Sequence, residues 1–509
     1  MRTYLLLFLC VILGCMLSAC GRTGKTILYT APDGEVASTD YFVKINNQPL
    51  FIYKARVSAV PVNMGYPGYQ RPLEQTEIAS FGYFDTDGTV DVEIESKKNV
   101  EKVTIRPLSK NIKPKVTGNK IRFQIKEPCQ LDIEINDHHQ ALHLFVNPIE
   151  DHVKNQEHYT WYFGPGRHQP GIIELQDNES MYIEGGAIVE TLIRANNARN
   201  VSIQGRGIID ASSFERRSGN MIRLNECADV KVEGVILRDS PSWTLSVSEG
   251  RNVHIENVKL IGLWRYNADG IDIVNSSNVT VNKSFVRAFD DCIALKGLNR
   301  TKQSDISNVY VNQCVLWCDW GRALEIGAET MCDSIHHVFY SDCDIIRYQY
   351  IALGIQPSDR ALIFDIHYEN IRVEDPVCAD YYYFDNALNP VRDISKIENY
   401  EVRKIANPSP YAGGQLVWMC IAKNEWSRES SLGKIYNITY KNIRVNSDFI
   451  PKSTLMGYDE NHDISDLLFE DIYFNGRKVT NTDEANMYFN DFAVKRVAFT
   501  NLHVSDFAL

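Results

Sequence analysis

Two different periodicities divide the chain. Between about Thr26 and Pro148, short segments alternate apolar and polar residues, as in Tyr41–Ile45 and Val90–Ile94, with turn-like breaks between them. A period of two residues is typical of strands that bury one face. This part therefore predicts a β-sandwich. We expect an accessory domain, because no cluster of chemically active residues stands out in it.

After Tyr159 a recurrent unit appears, which usually begins with Asn or Asp and continues with a β-branched or apolar residue, a variable residue and another apolar or aromatic one. The units begin at positions 200, 229, 252, 278, 308, 337, 365, 437, 466 and 496. The steps are 23 to 30 residues, apart from one of 72. Short strands with this period and no helices between them predict a right-handed single-stranded parallel β-helix. The Asn suits a turn whose amide bonds the next coil.

The step of 72 residues holds an insertion at about Pro376 to Lys434. Its aromatic residues include Trp418 and Trp426. In a solenoid each coil contacts only its neighbours, so functional residues are expected on one outward face. We expect the insertion to form a wall of a cleft on that face.

Composition indicates a folded protein that does not bind nucleic acid. The 509 residues include 44% hydrophobic and 23% charged residues. A chain of this length needs several domains or an elongated repeat architecture. Its net charge of -12 disfavours a polyanionic partner, because such a partner requires a concentrated basic face.

The N-terminus predicts export. Arg2 precedes an apolar run from Leu5 to Leu17, which fits the core of a signal peptide better than a membrane span. The following Leu-Ser-Ala-Cys-Gly resembles a bacterial lipobox, which implies acylation at Cys20 and a membrane-anchored lipoprotein in the periplasm or at the outer-membrane surface. An ordinary signal peptide is the alternative. The predicted divisions are a leader at 1–19, the β-sandwich at 20–150 and the β-helix at 151–509.

Cysteine spacing gives no zinc signature. Cys314 and Cys318 are four residues apart, but no further pair at metal-ligand spacing follows. Buried free thiols, or one or two disulfides, are the interpretation that we prefer to a metal site. No motif for an organic cofactor is present, and we predict neither a cofactor nor a metal.

Three aspartates on two consecutive coils form the main candidate site. Asp269 lies in the segment Asn-Ala-Asp-Gly-Ile-Asp, and Asp290 and Asp291 begin Asp-Asp-Cys-Ile-Ala-Leu-Lys. Asp269 and Asp290 are 21 residues apart, a spacing that predicts stacking on adjacent coils about 5 Å apart. Like charges raise the pKa of one carboxyl, so one can remain an acid while another is an ionised base.

These motifs resemble glycoside hydrolase family 28, the polygalacturonases and rhamnogalacturonases. The family motifs read Asn-Thr-Asp-Gly and Gly-Asp-Asp-Cys, and here Ala268 and Phe289 replace the Thr and the Gly. The segment Ser-Pro-Ser-Trp ending at Trp243 also matches the family. The resemblance covers roughly Tyr159 to Glu374.

The resemblance implies hydrolysis of a polysaccharide or oligosaccharide with inversion in a single displacement. Asp290 would be the general acid, and Asp269 and Asp291 would activate water. The resemblance identifies the three aspartates as the site, and it leaves open whether Asp290 or Asp291 is the acid.

Two departures from the family concern the substrate. Arg322 replaces the histidine of its Gly-His-Gly segment, and Gln356 stands near the position of a lysine that holds a uronate carboxylate. A carboxylate prefers a charge-assisted partner, so we favour a neutral glycan. Arg322, Arg265 or Arg223 could still bind an acidic sugar.

Further substrate-binding candidates flank the motifs. Arg322 and Glu325 form a substrate-binding pair or, equally, a surface salt bridge between coils. Trp264 and Tyr266 are the preferred aromatic platforms for sugar rings. Packing between coils is the alternative for these two residues.

Two other functions remain open. Parallel β-helices also occur in polysaccharide lyases and epimerases, which use an Arg or Lys base. No Lys or Arg stands directly beside the three aspartates in sequence, which favours hydrolysis. A non-catalytic glycan-binding surface lipoprotein is the second alternative.

Overall fold

Strands dominate the computed structural model, which describes residues 24–59, 73, 76–150, 156–298, 305–374, 414–490 and 492–500, with the backbone alone at 381–384 and 401–404. Two short 3-10 turns lie at Leu108–Lys110 and Gln156–His158. None of the helical turns in these residues is long and apolar enough to cross a membrane. Cys20 lies outside the described residues.

The N-terminal strands form two sheets. In chain order the strands are β1 (Thr26–Leu28), β2 (Tyr41–Ile45), β3 (Gln48–Leu50), β4 (Tyr53–Ser58), β5 (Thr76–Thr86), β6 (Val90–Ser96), β7 (Val103–Arg106), β8 (Lys115–Thr117), β9 (Lys120–Ile125), β10 (Cys129–Ile135) and β11 (Asp137–Pro148). One sheet has the order β1-β5-β11-β10-β7 with β4 beside β5, and the other has the order β3-β2-β6-β9-β8. Apolar side chains of both sheets, such as Val43, Ile94, Leu131 and Leu144, share one core.

Three long sheets follow, each receiving one strand from successive coils. The first contains β12 (Trp161–Phe163), β15 (Ser180–Ile183), β18 (Arg199–Gly205), β21 (Ala228–Glu233), β24 (Arg251–Glu256), β27 (Ser277–Asn282), β30 (Asp305–Asn312), β33 (Ser334–Ser341), β36 (Leu362–Glu369), β41 (Lys434–Lys441), β44 (Ile464–Glu470) and β48 (Val494–Thr500).

The second sheet contains β13 (Gly166–His168), β16 (Ala187–Glu190), β19 (Ile208–Asp210), β22 (Ile236–Arg238), β25 (Lys259–Ile261), β28 (Phe285–Ala288), β31 (Val315–Cys318), β34 (Asp344–Tyr348), β37 (Arg372–Glu374), β42 (Arg444–Asn446), β45 (Ile472–Phe474) and β46 (Arg477–Val479). Its strands pair in parallel, except for the antiparallel pair β45 and β46.

The third sheet carries the candidate site. It contains β14 (Ile173–Leu175), β17 (Ile193–Asn196), β20 (Ile222–Asn225), β23 (Leu245–Ser248), β26 (Ile271–Val274), β29 (Ile293–Gly297), β32 (Arg322–Thr330), β35 (Ile351–Pro357), β40 (Gln415–Cys420), β43 (Lys452–Met456) and β47 (Met487–Phe489). Its neighbouring strands are parallel, for example β26 with β29 and β29 with β32. The predicted all-β fold with a parallel β-helix is confirmed.

The repeated Asn or Asp has a conformational reason. All ten repeat units begin with a residue whose φ lies between 52° and 57°, a left-handed conformation that Asn and Asp tolerate better than most residues. The predicted amide ladder is present over part of the solenoid. Asn252 Nδ2 donates to Asp229 Oδ1 at 2.9 Å, and Asn278 Nδ2 donates to Asn252 Oδ1 at 3.2 Å.

Inward apolar ladders fill the solenoid. The residue after nine of these ten turns, such as Val230, Val253 and Val279, is almost fully buried, and Val497 after the last turn is partly buried. Along the same sheet an aromatic stack has ring centroids 4.8 to 4.9 Å apart. It consists of Tyr340, Tyr368, Tyr440, Phe469 and Phe499.

The N-terminal strands pack against the outer face of the second solenoid sheet. A shared apolar cluster joins Phe81 and Phe145 to Ile236, Phe285 and Trp317. This contact leaves the outer face of the third sheet for the candidate site.

Much of the insertion that we expect to form a cleft wall lies outside the described residues. β38 (Tyr381–Phe384) and β39 (Glu401–Lys404) form an antiparallel pair, while residues 375–380, 385–400 and 405–413 lie outside the described part. Trp418 is buried on β40, and Trp426 is 38% exposed. The eight cysteines that the structure describes, including Cys314 and Cys318, are free thiols.

Candidate active site

The three aspartates lie just before strands of the third sheet. Asp269 precedes β26, and Asp290 and Asp291 precede β29. Because Ile271 pairs with Ile293, the residue stacked on Asp269 in the next coil is Asp291. The predicted stacking of Asp269 on Asp290 is therefore wrong by one residue. Stacked residues of these two coils are 22 residues apart in sequence, whereas Asp269 and Asp290 are 21 apart.

Two glycines allow these carboxylates to approach one another. A Cβ on Gly321 would lie 2.6 Å from the backbone carbon of Asp290 and 2.7 Å from its Oδ1. A Cβ on Gly270 would lie 2.3 Å from the carbonyl oxygen of Cys292. Neither space accepts a side chain, so both residues must be glycine for the coils to stack this closely.

Lys296 lies at the centre of the acid cluster. Its Nζ is 2.7 Å from Asp269 Oδ2, 3.0 Å from Asp272 Oδ1 and 3.9 Å from Asp291 Oδ2. The ammonium also faces the half-buried ring of Trp243, 4.4 Å from the centroid. Lys296 is not adjacent to the three aspartates in sequence, but the stacking of coils brings it beside them.

Arg322 supplies a second cation. Its backbone N–H donates to Asp291 Oδ1 at 3.0 Å, and its Nη1 lies 3.4 Å from the same oxygen. The guanidinium carbon is 5.4 Å from the centre of the Tyr350 ring. Arg322 thus holds one oxygen of Asp291 while 22% of its side chain remains exposed.

The environment separates the proton affinities of the carboxyls. Burial, followed by the charges of Asp269 and Asp291, raises the pKa of Asp290 well above its usual range. Burial raises the pKa of Asp269 to about 6, with Lys296 opposing the rise and Asp291 adding to it. Burial likewise raises the pKa of Asp272 well above its usual range. Asp290 is thus the member of the predicted trio best suited to hold a proton near neutral pH.

In the described part of the chain no ion pair joins Glu325 to Arg322, so the alternative of a salt bridge between these two residues is not found. Instead Glu325 Oε1 accepts a hydrogen bond from Gln356 Nε2 at 2.6 Å. Glu325 is fully buried and stacks on Gly354 in the next coil. Burial raises the pKa of Glu325 to about 8, while the Arg322 charge opposes the rise.

Trp264 and Tyr266 are mainly packing residues. Trp264 is 8% exposed and its Nε1 donates to Asp239 Oδ1 at 2.9 Å. Tyr266 is 6% exposed and belongs to the main solenoid core. Their proximity to Asp269 in sequence does not make them an exposed platform, and Trp243 is the aromatic residue that faces the acid cluster.

Sequence reasoning missed Lys296, Asp272 and Glu329 as parts of the site. Glu329 is partly exposed, and its charge raises the pKa values of Asp269 and Lys296. Side-chain alternation offered a usable signal, because Asp272 and Lys296 occupy outward positions of paired strands.

Lys296 partly neutralises this cluster. Within the described ranges, no group of three His, Cys, Asp or Glu side chains is arranged to hold a metal ion. The Lys296 ammonium occupies the place among the carboxylates where a cation would otherwise be expected.

Residues 172–412 match the family model described as "Glycosyl hydrolases family 28". The central solenoid resembles a divergent member of this family. The matched segment contains the whole acid cluster, from Trp243 to Gln356.

Curated relatives agree with this resemblance. "Probable polygalacturonase At1g80170" from Arabidopsis thaliana is 25% identical over 179 residues, which cover 34% of this chain and 38% of the relative. "Probable rhamnogalacturonase A" from Aspergillus oryzae is 28% identical over 139 residues, which cover 27% of this chain and 28% of the relative. The chain thus spans well under half the length of these family 28-like relatives.

Among solved structures, Dex49A from Penicillium minioluteum is similar over 94% of this chain and 97% of its own. The TM-score is 0.61 at 15% sequence identity. This likeness concerns the fold alone.

Proposed function

We propose that this protein is a glycoside hydrolase that cleaves a polysaccharide or oligosaccharide by single displacement with inversion. Asp290 is the general acid that protonates the leaving oxygen, and Asp269 and Asp291 activate the attacking water. The observation that carries the proposal is the position of Asp290. It is buried beside two carboxyls that favour its protonated form.

The other charges of the site support this assignment of roles. Arg322 fixes one oxygen of Asp291 through two contacts. Lys296 bonds to Asp269 and Asp272, so that it partly neutralises the cluster without contacting Asp290 directly. Asp269, with a pKa of about 6, can be ionised at neutral pH while Asp290 still carries a proton.

Lys296 is a poor candidate for the base of a lyase. Burial would lower its pKa, but Asp269, Asp272 and neighbouring carboxylates outweigh burial and raise that pKa well above its usual value. An ammonium held in this way does not accept a proton from a sugar carbon. Hydrolysis therefore fits the described geometry better than β-elimination.

Product analysis tests the proposal. Wild type without its leader and Cys20, Asp290→Asn and the control Asp229→Asn are incubated with plant and microbial glycans, and products are followed by chromatography and proton NMR. Asp229 occupies a turn where the neighbouring coils carry Asn200 and Asn252, so the control should fold normally.

Wild type and Asp229→Asn should release reducing sugars of inverted configuration. Asp290→Asn should be slower by about 10²- to 10⁴-fold, the usual contribution of a general acid. Unsaturated products would instead indicate a lyase. Binding by all three proteins without any product would indicate a glycan-capture protein.

We also propose that the mature chain begins at an acylated Cys20 and is held at a membrane by lipid. The apolar leader and the residues before Cys20 support this. Labelling cells with an alkyne fatty acid should tag wild type but not Cys20→Ala, and equal labelling of both would refute lipidation at this residue.

A further inference from the structure

The outer face of the third sheet around the acid cluster is rich in carboxyl groups. Two cations share it with six carboxyl side chains, which are Asp269, Asp272, Asp290, Asp291, Glu325 and Glu329. Glu329 is partly exposed. Burial raises the pKa values of Asp272, Asp290 and Glu325, so these three carboxyls add little negative charge at neutral pH. The other carboxylates still disfavour a negatively charged sugar.

Both of these cations contact protein carboxylates. Lys296 is 5% exposed and contacts Asp269 and Asp272. Arg322 is occupied by Asp291. A uronate carboxylate over β32 and β35 would have to compete for a guanidinium that already holds a site residue.

The other arginines suggested by the sequence lie elsewhere. Arg265 is buried and pairs with Asp239 at 3.5 Å. Arg223 is exposed, but it lies two coils before Asp272 in the same ladder of residues. Two strand spacings separate them by roughly 10 Å, so Arg223 faces a different sugar position.

The polar group offered over β35 is the amide of Gln356. Gln356 is partly exposed, and its Nε2 is fixed by Glu325 Oε1 at 2.6 Å. This bond directs the rest of the amide away from Glu325. An oriented neutral amide suits a sugar hydroxyl, because it can both donate and accept a hydrogen bond.

Gly354 makes this arrangement possible. A Cβ at Gly354 would lie 1.8 Å from Glu325 Oε2, so any larger residue would displace the Glu325 carboxyl. The three residues therefore form a unit. Gly354 gives space to Glu325, and Glu325 holds Gln356.

We propose that the sugar residue lying over β32 and β35, beside the acid cluster, is uncharged, and that Gln356 selects it while Glu325 holds the Gln356 amide in place. This inference rests on the proposed hydrolase function for the orientation of the substrate. Gln356 is the binding residue, and Glu325 is a positioning residue. The remaining carboxylates, and the contacts of Lys296 and Arg322 with protein carboxylates, disfavour a uronate at this position.

The first test compares charged and neutral polymers. Wild-type hydrolysis is measured on polygalacturonate, on its carboxyl-reduced neutral form, and on galactan, arabinan, xylan and dextran. Binding by Asp290→Asn to the same polymers is measured by affinity electrophoresis. We expect wild type to cleave at least one neutral polymer, or that polymer to retard the migration of Asp290→Asn. Polygalacturonate should be neither cleaved nor bound.

The outcomes separate this inference from the proposed function. Cleavage of polygalacturonate would keep the hydrolase and overturn the neutral position. Retardation by a neutral polymer without cleavage by wild type would keep the neutral position and count against hydrolysis. If no neutral polymer is cleaved by wild type and none retards Asp290→Asn, the inference is overturned.

The second test examines the role of Glu325 with the neutral polymer found in the first. Glu325→Ala and Gln356→Ala should each raise KM, or the dissociation constant if no cleavage occurs, by about 10-fold, which is typical of one lost hydrogen bond. The kcat should change little. Glu325→Gln should restore near-wild-type values, because a pKa of about 8 leaves the native group largely neutral at pH 7.

A merely structural role for Glu325 predicts a different pattern. It would lower kcat and thermal stability together in Glu325→Ala, without a selective rise in KM. Separately, an unchanged KM for Gln356→Ala would show that Gln356 does not bind the sugar. Either result would overturn the positioning role.

Discussion

Replacement of Lys296 by Met tests whether one ammonium keeps the acid cluster stable. The Nζ atom lies 2.7 Å from Asp269 and 3.0 Å from Asp272, and the residue is 5% exposed. Removing one member of a buried ion pair costs about 3–5 kcal/mol, because the remaining charge is buried without compensation. We expect Lys296→Met to lose stability of this order at neutral pH.

The loss should depend on pH in a defined direction. Lys296 now lowers the pKa values of Asp269 and Asp272, so its removal raises both further above their unfolded values. A carboxyl with a raised folded pKa is tolerated while protonated and destabilises the fold as pH rises through that pKa. Each further unit of increase corresponds to about 1.4 kcal/mol per carboxyl once it is ionised.

Urea unfolding of wild type and Lys296→Met at about pH 5 and about pH 8 measures this difference. The deficit of the variant should be clearly larger at the higher pH. A matched control is Lys231→Met, whose ammonium is 2.5 Å from Glu233 on a side chain that is 49% exposed. The control should cost less than about 1 kcal/mol. Equal deficits for Lys296→Met at both pH values would refute the compensation argument.

Three further predictions follow from the site and the core. Gly321→Ala, whose Cβ would lie 2.7 Å from Asp290 Oδ1, should lower kcat by roughly 100-fold, whereas Gly164→Ala, with its nearest atom at 3.7 Å, should not change kcat. The acidic limb of the kcat/KM profile should lie near pH 6, where Asp269 ionises, and activity should fall again as Asp290 loses its proton; an acidic limb near pH 4, about the ordinary carboxyl value, would contradict this. Tyr368→Phe should raise the free energy of unfolding by about 1 kcal/mol, because the buried Tyr368 hydroxyl has no hydrogen-bond partner within the described chain, and calorimetry showing a loss would argue against it.

Much of the scaffold follows from local chemistry. The repeated Asn and Asp residues mark left-handed turns, and the apolar residue after each turn points into the core. The segments Tyr41–Ile45 and Ile121–Ile125 lie in strands β2 and β9. These features depend on neighbours in sequence, which is why periodicity alone predicts them.

The details of the site depend on register, which sequence spacing gives only approximately. An error of one residue in coil length pairs Asp269 with Asp290 rather than with Asp291. The same uncertainty hides the contacts of Lys296 with Asp269 and Asp272. In a β structure, a shift of one residue exchanges the two faces of a strand, so contacts between coils are harder to predict than the coils themselves.

Burial explains the other differences between the site predicted from sequence and the site in the structure. Trp264 and Tyr266 stand close to Asp269 in sequence, yet both turn into packed regions. Gly354 has no side chain that could indicate a role in the site. Its role is to leave space for the Glu325 carboxyl, which lies where a Cβ of residue 354 would be. Neither fact is visible until the neighbouring coils are in place.

The N-terminal strands also support the site from behind. His143 on β11 contacts Arg287 on β28 at 3.2 Å, and Arg287 lies 3.8 Å from the centre of the Trp317 ring on β31. β28 ends just before Asp290, and β31 ends just before Gly321.

The two turns that bring the carboxyls together thus begin from strands fixed by a buried contact with the N-terminal sheet. Crowded carboxyls oppose folding, so the coils that carry them need support that does not come from the cleft itself. The second sheet receives that support on its outer face, which leaves the third sheet open to substrate.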